Sequence, residues 1–185
     1  MIKMLSILSK KTRDILKETN VTTYELLQPE FMNNDFLTAA DRKKLKTIKE
    51  AFESYQVEKI ERLTVTSSSF IGNHLVNLLN EKQQEEVHVL SLNTKNEVIS
   101  IDMIFKGSLN SSVAHPREIF KKAVEHSAAR IIITHNHPSG NTEPSEADLS
   151  FTRRIVEAGE VMGIEVIDHF IIGNTYLSLR EHGLM

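Results

Sequence analysis

The residues THNHPSGNTEPSEAD, Thr134 to Asp148, bring together side chains that can bind a metal and act on a bond. His135 and His137 lie two apart, and Ser145 and Asp148 follow at the spacing H-x-H-x7-S-x-x-D. Imidazole nitrogens and carboxylate oxygens are zinc ligands, and a catalytic zinc keeps three protein ligands and one open position. Alternate residues of an extended segment point to the same side, so both imidazoles can converge on one ion. Asp148 falls in the first turn of a helix opening at Pro144-Ser145. There side chains lean toward the helix N-terminus, which aims its carboxylate back at the loop. A structural reading competes: Ser145-x-x-Asp148 is also a capping box with Asp in place of the usual Glu. Histidines in a Pro-Gly loop can, in addition, simply be exposed.

The elements that must hold these residues are legible as alternating strands and helices. Val87, Val89, Leu90 and Leu92 predict a strand, and Val98 to Phe105 another, joined by the hairpin signal Asn93-Thr94-Lys95-Asn96. Pro116 opens a predicted helix to about Ala128, with Ile119, Phe120, Ala123 and Val124 inward. Ile131-Ile132-Ile133 reads as a buried strand delivering the histidines, just beyond its C-terminal end, where sites form in open α/β sheets. Ser145 to Met162 predicts a helix with Leu149, Thr152, Ile155 and Val156 inward; Ile164–Ile172 and Tyr176–Leu179 predict strands. The fold class is therefore α/β with a mixed sheet flanked by helices. Ahead of it, Leu5, Ile7, Leu8, Ile15 and Leu16 suggest one helix. Thr38 to Tyr55 suggests a second, with Leu45, Ile48, Ala51, Phe52 and Tyr55 inward. Residues 57–66 read as a connector, and Ser67 to Ser69 as the cap of a helix through Leu79. The expected division is a helical segment over 1–62 and an α/β domain over 63–185.

Composition narrows the chemistry. No cysteine is present, which excludes disulfides, thiolate zinc sites and a cysteine nucleophile. The deaminase signature H-x-E with P-C-x-x-C fails for the same reason, and HExxH is absent. A net charge of −3 gives no global case for nucleic acid. The helix over 38–55 nevertheless has a basic face of Arg42, Lys43, Lys44, Lys46 and Lys49. The apolar run in MIKMLSILSKK is too short for a signal-peptide core or a membrane span, so no membrane association and a cytoplasmic location are expected.

The motif His135-x-His137-x7-Ser145-x-x-Asp148 resembles that of the JAMM (MPN) metallohydrolases. The wider stretch HPREIFKKAVEHSAARIIITHNHPSGNTEPSEADLSFTRRIVEAGEVMGIEVIDHFIIG resembles the bacterial RadC (UPF0758-like) family, and the likeness runs from about residue 64 to the C-terminus. It implies the JAMM fold, related to the cytidine deaminase architecture, and one zinc ion held by His135, His137 and Asp148. It also implies that Ser145 hydrogen-bonds the attacking water or the developing oxyanion. The family pattern places a general-base glutamate just before a central strand, which points to Glu85, with Glu86 one residue away. Glu118 is a rival carboxylate in the family-like His115-Pro116-Arg117-Glu118, at a helix start where an acid also favours the dipole. Arg117 could orient a substrate carbonyl or a structural carboxylate. Asp168-His169 matches the family pattern and reads as a partner behind the ligands or a satisfied core pair rather than as a ligand. His74, His88, His126 and His182 read as structural or exposed.

RadC proteins commonly carry a helix-hairpin-helix-like segment ahead of this domain, whose glycines let backbone amides approach phosphate. Here the first glycine is Gly72, so Leu37 to Leu45 lacks that turn and any DNA contact rests on the basic face alone. The leading expectation is a zinc metallohydrolase cleaving an amide or isopeptide bond in a peptide or protein, with zinc, manganese and iron all compatible with the ligands. The alternatives are a DNA repair or recombination accessory protein and a non-catalytic JAMM scaffold.

Overall fold

Hydroxyl side chains decide where several helices begin. The computed structural model describes residues 6–19, 25–27, 29–107 and 115–185. Within it, Ser9 Oγ accepts from the Thr12 amide at 3.3 Å, and helix α1 runs Lys10–Thr19. That cap cuts the expected N-terminal stripe: Ile7 and Leu8 precede the helix, Ile7 is exposed, and Leu5 lies outside the described residues. A 3-10 turn, Glu25–Leu27, and a short helix α2, Pro29–Met32, lead to α3, Ala39–Ile60.

The chain's contacts divide it into two units, one through Tyr55 and one from Gln56. The first has its own small core of Leu8, Leu16, Leu26, Leu37 and Leu45. Buried Asp41 lies beside this core and accepts from Ser9 N and from the hydroxyls of Ser9, Thr12 and Thr38, all at 2.7–2.8 Å. Burial alone would raise its pKa, but these donors hold it well below the usual carboxylate range. The expected inward stripe on α3 is corrected beyond Leu45, since Phe52 and Tyr55 are 52% and 59% exposed. Leu45 is the last α3 residue in that core. The predicted connector is also shorter than expected. Nothing between Ala39 and Ile60 breaks a helix, and α3 ends only where Arg62 takes a left-handed φ of 80°.

The second unit is a five-stranded mixed sheet. After α4 (Ser68–Leu79), capped by Ser67 Oγ on the Phe70 amide, come β1 (Glu86–Leu92) and β2 (Val98–Lys106). Then follow α5 (Pro116–Glu125), β3 (Arg130–Asn136), α6 (Glu146–Met162), β4 (Glu165–Ile172) and β5 (Tyr176–Ser178). The strand order is β2-β1-β3-β4-β5, antiparallel except for the parallel pair β3/β4. Central strands buried on both faces explain their continuous apolar runs. Val87, Val89, Ile131 and Ile133 pack with Ile119, Phe120, Phe151 and Ile155 of α5 and α6. Leu90, Leu92, Ile132 and Phe170 pack with Ile71, Leu75 and Leu79 of α4 on the other face. Val124, expected inward, is 55% exposed. Among the described residues no helix is long and apolar enough to cross a membrane.

Candidate metal centre

Strand β3 ends by delivering the histidines. The His137 amide donates to Ile172 O at 2.7 Å, carrying the β3/β4 pairing one residue past the strand. Gly140 then turns with φ 80°, and its carbonyl accepts from the Asn174 amide at 3.0 Å. Gly173 must be glycine for this closure, because a Cβ there would strike the Gly140 carbonyl. On the other side Ser145 caps α6 and completes the expected box with Asp148. Asp148 Oδ2 accepts from Ser145 N at 2.7 Å and from Ser145 Oγ at 2.6 Å. The Ser145 hydroxyl, expected to face an oxyanion, thus donates to Asp148. The capping box is formed, and it leaves the second carboxylate oxygen, Oδ1, facing His135.

The donor atoms converge closely. His135 Nε2 lies 3.0 Å from His137 Nε2 and 3.2 Å from Asp148 Oδ1, and His137 Nε2 lies 3.6 Å from Asp148 Oδ2. Ligands about 2.0–2.1 Å from a tetrahedral ion are about 3.3–3.4 Å apart, so these spacings suit one small ion. Glu85 joins them: ligand atoms of Glu85, His135, His137 and Asp148 all lie within 4.8 Å of one another and could hold a metal ion.

Hydrogen bonds behind the cluster fix where the protons are. Thr152 Oγ1 donates to Asp148 O at 2.7 Å, so at the His169 Nδ1 contact, also 2.7 Å, the imidazole must be the donor. Burial holds the His169 pKa well below the usual value, so the ring is neutral and its Nε2 is an acceptor. His135 Nδ1, 2.8 Å away, must then be the donor, which turns His135 Nε2 toward the cluster. The ring of His137 is oriented in the same sense, with Nδ1 2.9 Å from Asn141 O. Both Nε2 atoms and a carboxylate oxygen therefore point at one spot, a donor set suited to a metal ion. Contact with Asp148 raises the His137 pKa, and the histidines and Ser145 overcome burial to hold Asp148 far below the carboxylate range.

The remaining candidates separate by geometry. Val87 pairs with His135, so Glu85, two residues before Val87, shares the histidine face, while Glu86 takes the opposite one. Glu86 is buried between His88 Nε2 at 3.1 Å and Lys106 Nζ at 2.8 Å. Burial opposes its ionisation, but these partners bring its pKa to about 2. Residues 81–85 form no helix. Glu118 pairs with Arg117 Nε at 3.0 Å on the surface, and neither joins the cluster. His169 is fully buried behind His135, and Asp168 accepts from Ser178 Oγ at 2.7 Å and from the His169 amide at 2.7 Å. Sequence reasoning missed Thr152 as a polar link, placing it only as an inward position, and missed Asn136 altogether. A buried asparagine inside a strand is the signal that could have found it.

A family model described as the RadC-like JAB domain matches residues 65–184. The chain belongs to the RadC family. Among curated relatives, a "UPF0758 protein" of Enterococcus faecalis is 52% identical over 128 residues, covering 69% of this chain and 55% of that protein. Proteins of the same name from Latilactobacillus sakei and Clostridium beijerinckii are 50% identical over 122 and 124 residues, covering 65% and 66% of this chain and 54% of each. The chain spans about half the length of the curated relatives it matches. The RadC-like region encloses Glu85, His135, His137, Asp148 and the residues behind them, and the mixed sheet flanked by helices is its JAB/MPN fold.

Proposed function

We propose that this RadC-family chain is a zinc-dependent hydrolase of amide or isopeptide bonds in a peptide or protein. The observation that carries the reading is the convergence of His135 Nε2, His137 Nε2 and Asp148 within reach of the Glu85 carboxylate. When bound, the ion supplies Lewis acidity, polarising a carbonyl and acidifying water at the site. The chain's residues supply the rest. His135, His137 and Asp148 hold the ion, and His169 and Ser145 hold two of those three in register. Glu85 takes a proton from the water whose oxygen bonds to the amide carbon. It returns that proton to the amine as the C–N bond breaks.

The test is metal analysis joined to hydrolysis. Purified protein should hold about one equivalent of zinc, and His135→Ala or His137→Ala should lose it. A peptide and isopeptide library read by mass spectrometry should show cleavage that stops with chelation or with Glu85→Gln. Absence of stoichiometric metal would sink the reading. Metal without Glu85-dependent cleavage would leave the domain a scaffold. A DNA-contacting role has less support. On the basic face, Arg42 and Lys44 direct donors to the carbonyls of Asn34 and Ile7 at 3.0 and 2.6 Å, and Lys46 faces Glu50 at 3.9 Å.

A further inference from the structure

The residue between the two histidines points away from them. His135 and His137 face α6, so Asn136, one residue out of phase, faces the chain that leaves α4. It is 1% exposed, and its amide is fully engaged. Oδ1 accepts from the Glu86 amide at 2.8 Å, while Nδ2 donates to Lys82 O at 3.2 Å and Gln84 O at 3.1 Å. All three partners are backbone groups of fixed polarity, so the orientation of the amide is unambiguous.

These contacts bracket one residue. The φ and ψ of Glu85 are set by the peptide planes on either side of it. Gln84 O belongs to the plane before Glu85, and Glu86 N to the plane after. Asn136 grips both, and Gly107 N adds a 2.8 Å bond to Glu85 O in the second plane. Lys82 to Glu85 has no helix or strand of its own, and the Gly107 bond at its end extends the β1/β2 pairing. The β1/β3 pairing stops at Val87–His135, and the asparagine side chain continues it where backbone pairing ends.

We propose that Asn136 is a positioning residue that aims the Glu85 carboxylate at the space between the histidines. The inference rests on the reading of Glu85 as the base. It ties that base to the end of the strand that carries His135 and leads directly into His137, so movement of that strand end takes the base and both histidines together.

The test uses the full chain with Co2+ as a spectroscopic probe, alongside amide hydrogen exchange. In Asn136→Ala, exchange of the Glu86 amide should rise about three- to tenfold, the scale of one buried hydrogen bond. Co2+ should still bind at one equivalent, because His135, His137 and Asp148 stand on β3, the following loop and α6. Its d–d absorption should change in the same direction as in Glu85→Gln, and Asn136→Ala/Glu85→Gln should add nothing further. Asn136→Thr, a side chain favoured in strands but too short to hold both planes, should reproduce these effects with the sheet intact. Unchanged exchange, or a wild-type Co2+ spectrum in Asn136→Ala, overturns the positioning role. A spectrum unmoved by Glu85→Gln overturns the assignment of the base and the positioning role with it. A wild-type chain that takes up no Co2+ defeats the hydrolase reading itself.

Discussion

His135 and Asp148 are joined twice, once across the space their donor atoms face and once behind it through His169 and Thr152. The second route matters because an imidazole binds metal only through a nitrogen without a proton. Thr152→Val removes the hydroxyl that orders His169, so the proton on His135 is no longer confined to Nδ1. Zinc affinity should fall about 10–100-fold, the range for lost partners of metal ligands, and competition with a chromophoric chelator would measure it. Affinity within twofold of wild type would show that the tautomer is set elsewhere. Asp41 and Asp148 make an instructive pair. Both lie three residues after a capping hydroxyl, Thr38 or Ser145, and both are buried. Asp41 has hydroxyls and amides around it, and Asp148 has imidazoles; the neighbours, rather than the box, separate a structural carboxylate from a candidate ligand.

Strand pairing decides the part of the site that the motif does not contain. Adjacent glutamates at the start of β1 face opposite sides of the sheet, so Glu85 and Glu86 should fail differently. Glu86 has a pKa of about 2 against an ordinary 4.5, so it stabilises the fold above pH 4.5 and that stabilisation is lost as pH falls toward 2. Glu86→Gln should lower the urea midpoint at pH 7 and flatten its decline between those limits while leaving zinc stoichiometry unchanged; an unaltered pH profile would count against the buried cluster. His135, His137 and Asp148 were legible because one short stretch carries them on a strand end and a helix start. The face of Glu85 was not, since it depends on the Val87–His135 register between segments about fifty residues apart. Asn136 was invisible for a related reason. It recognises backbone, which leaves no complementary residue type to read. The central strand β3 was legible because burial on both faces leaves the uninterrupted apolar run Ile131-Ile132-Ile133. The inward faces of α3 and α5 were overestimated at Phe52, Tyr55 and Val124, where apolar spacing continues past the packed surface.

The four clustered residues and every hydrogen bond drawn among them lie in the unit from Gln56 onward. A fragment of residues 56–185 should therefore bind zinc at the same stoichiometry as the full chain, by metal analysis after gel filtration. Loss of binding in a folded fragment would assign the first unit a part in the site. Three apolar clusters, two of them packed on either face of the sheet, owe nothing to an ion. Stripping the metal should leave the far-ultraviolet circular dichroism unchanged, unlike domains that unfold when their zinc is removed. The closed path from His135 through His169 and Thr152 to Asp148 has a further effect. It sets the size of the opening before anything enters. Donors held 3.0 to 3.6 Å apart, two of them nitrogen, leave calcium too large and too poorly served by oxygen to compete. Discrimination among ions would then be a property of the empty protein, built in by protons that never touch the metal.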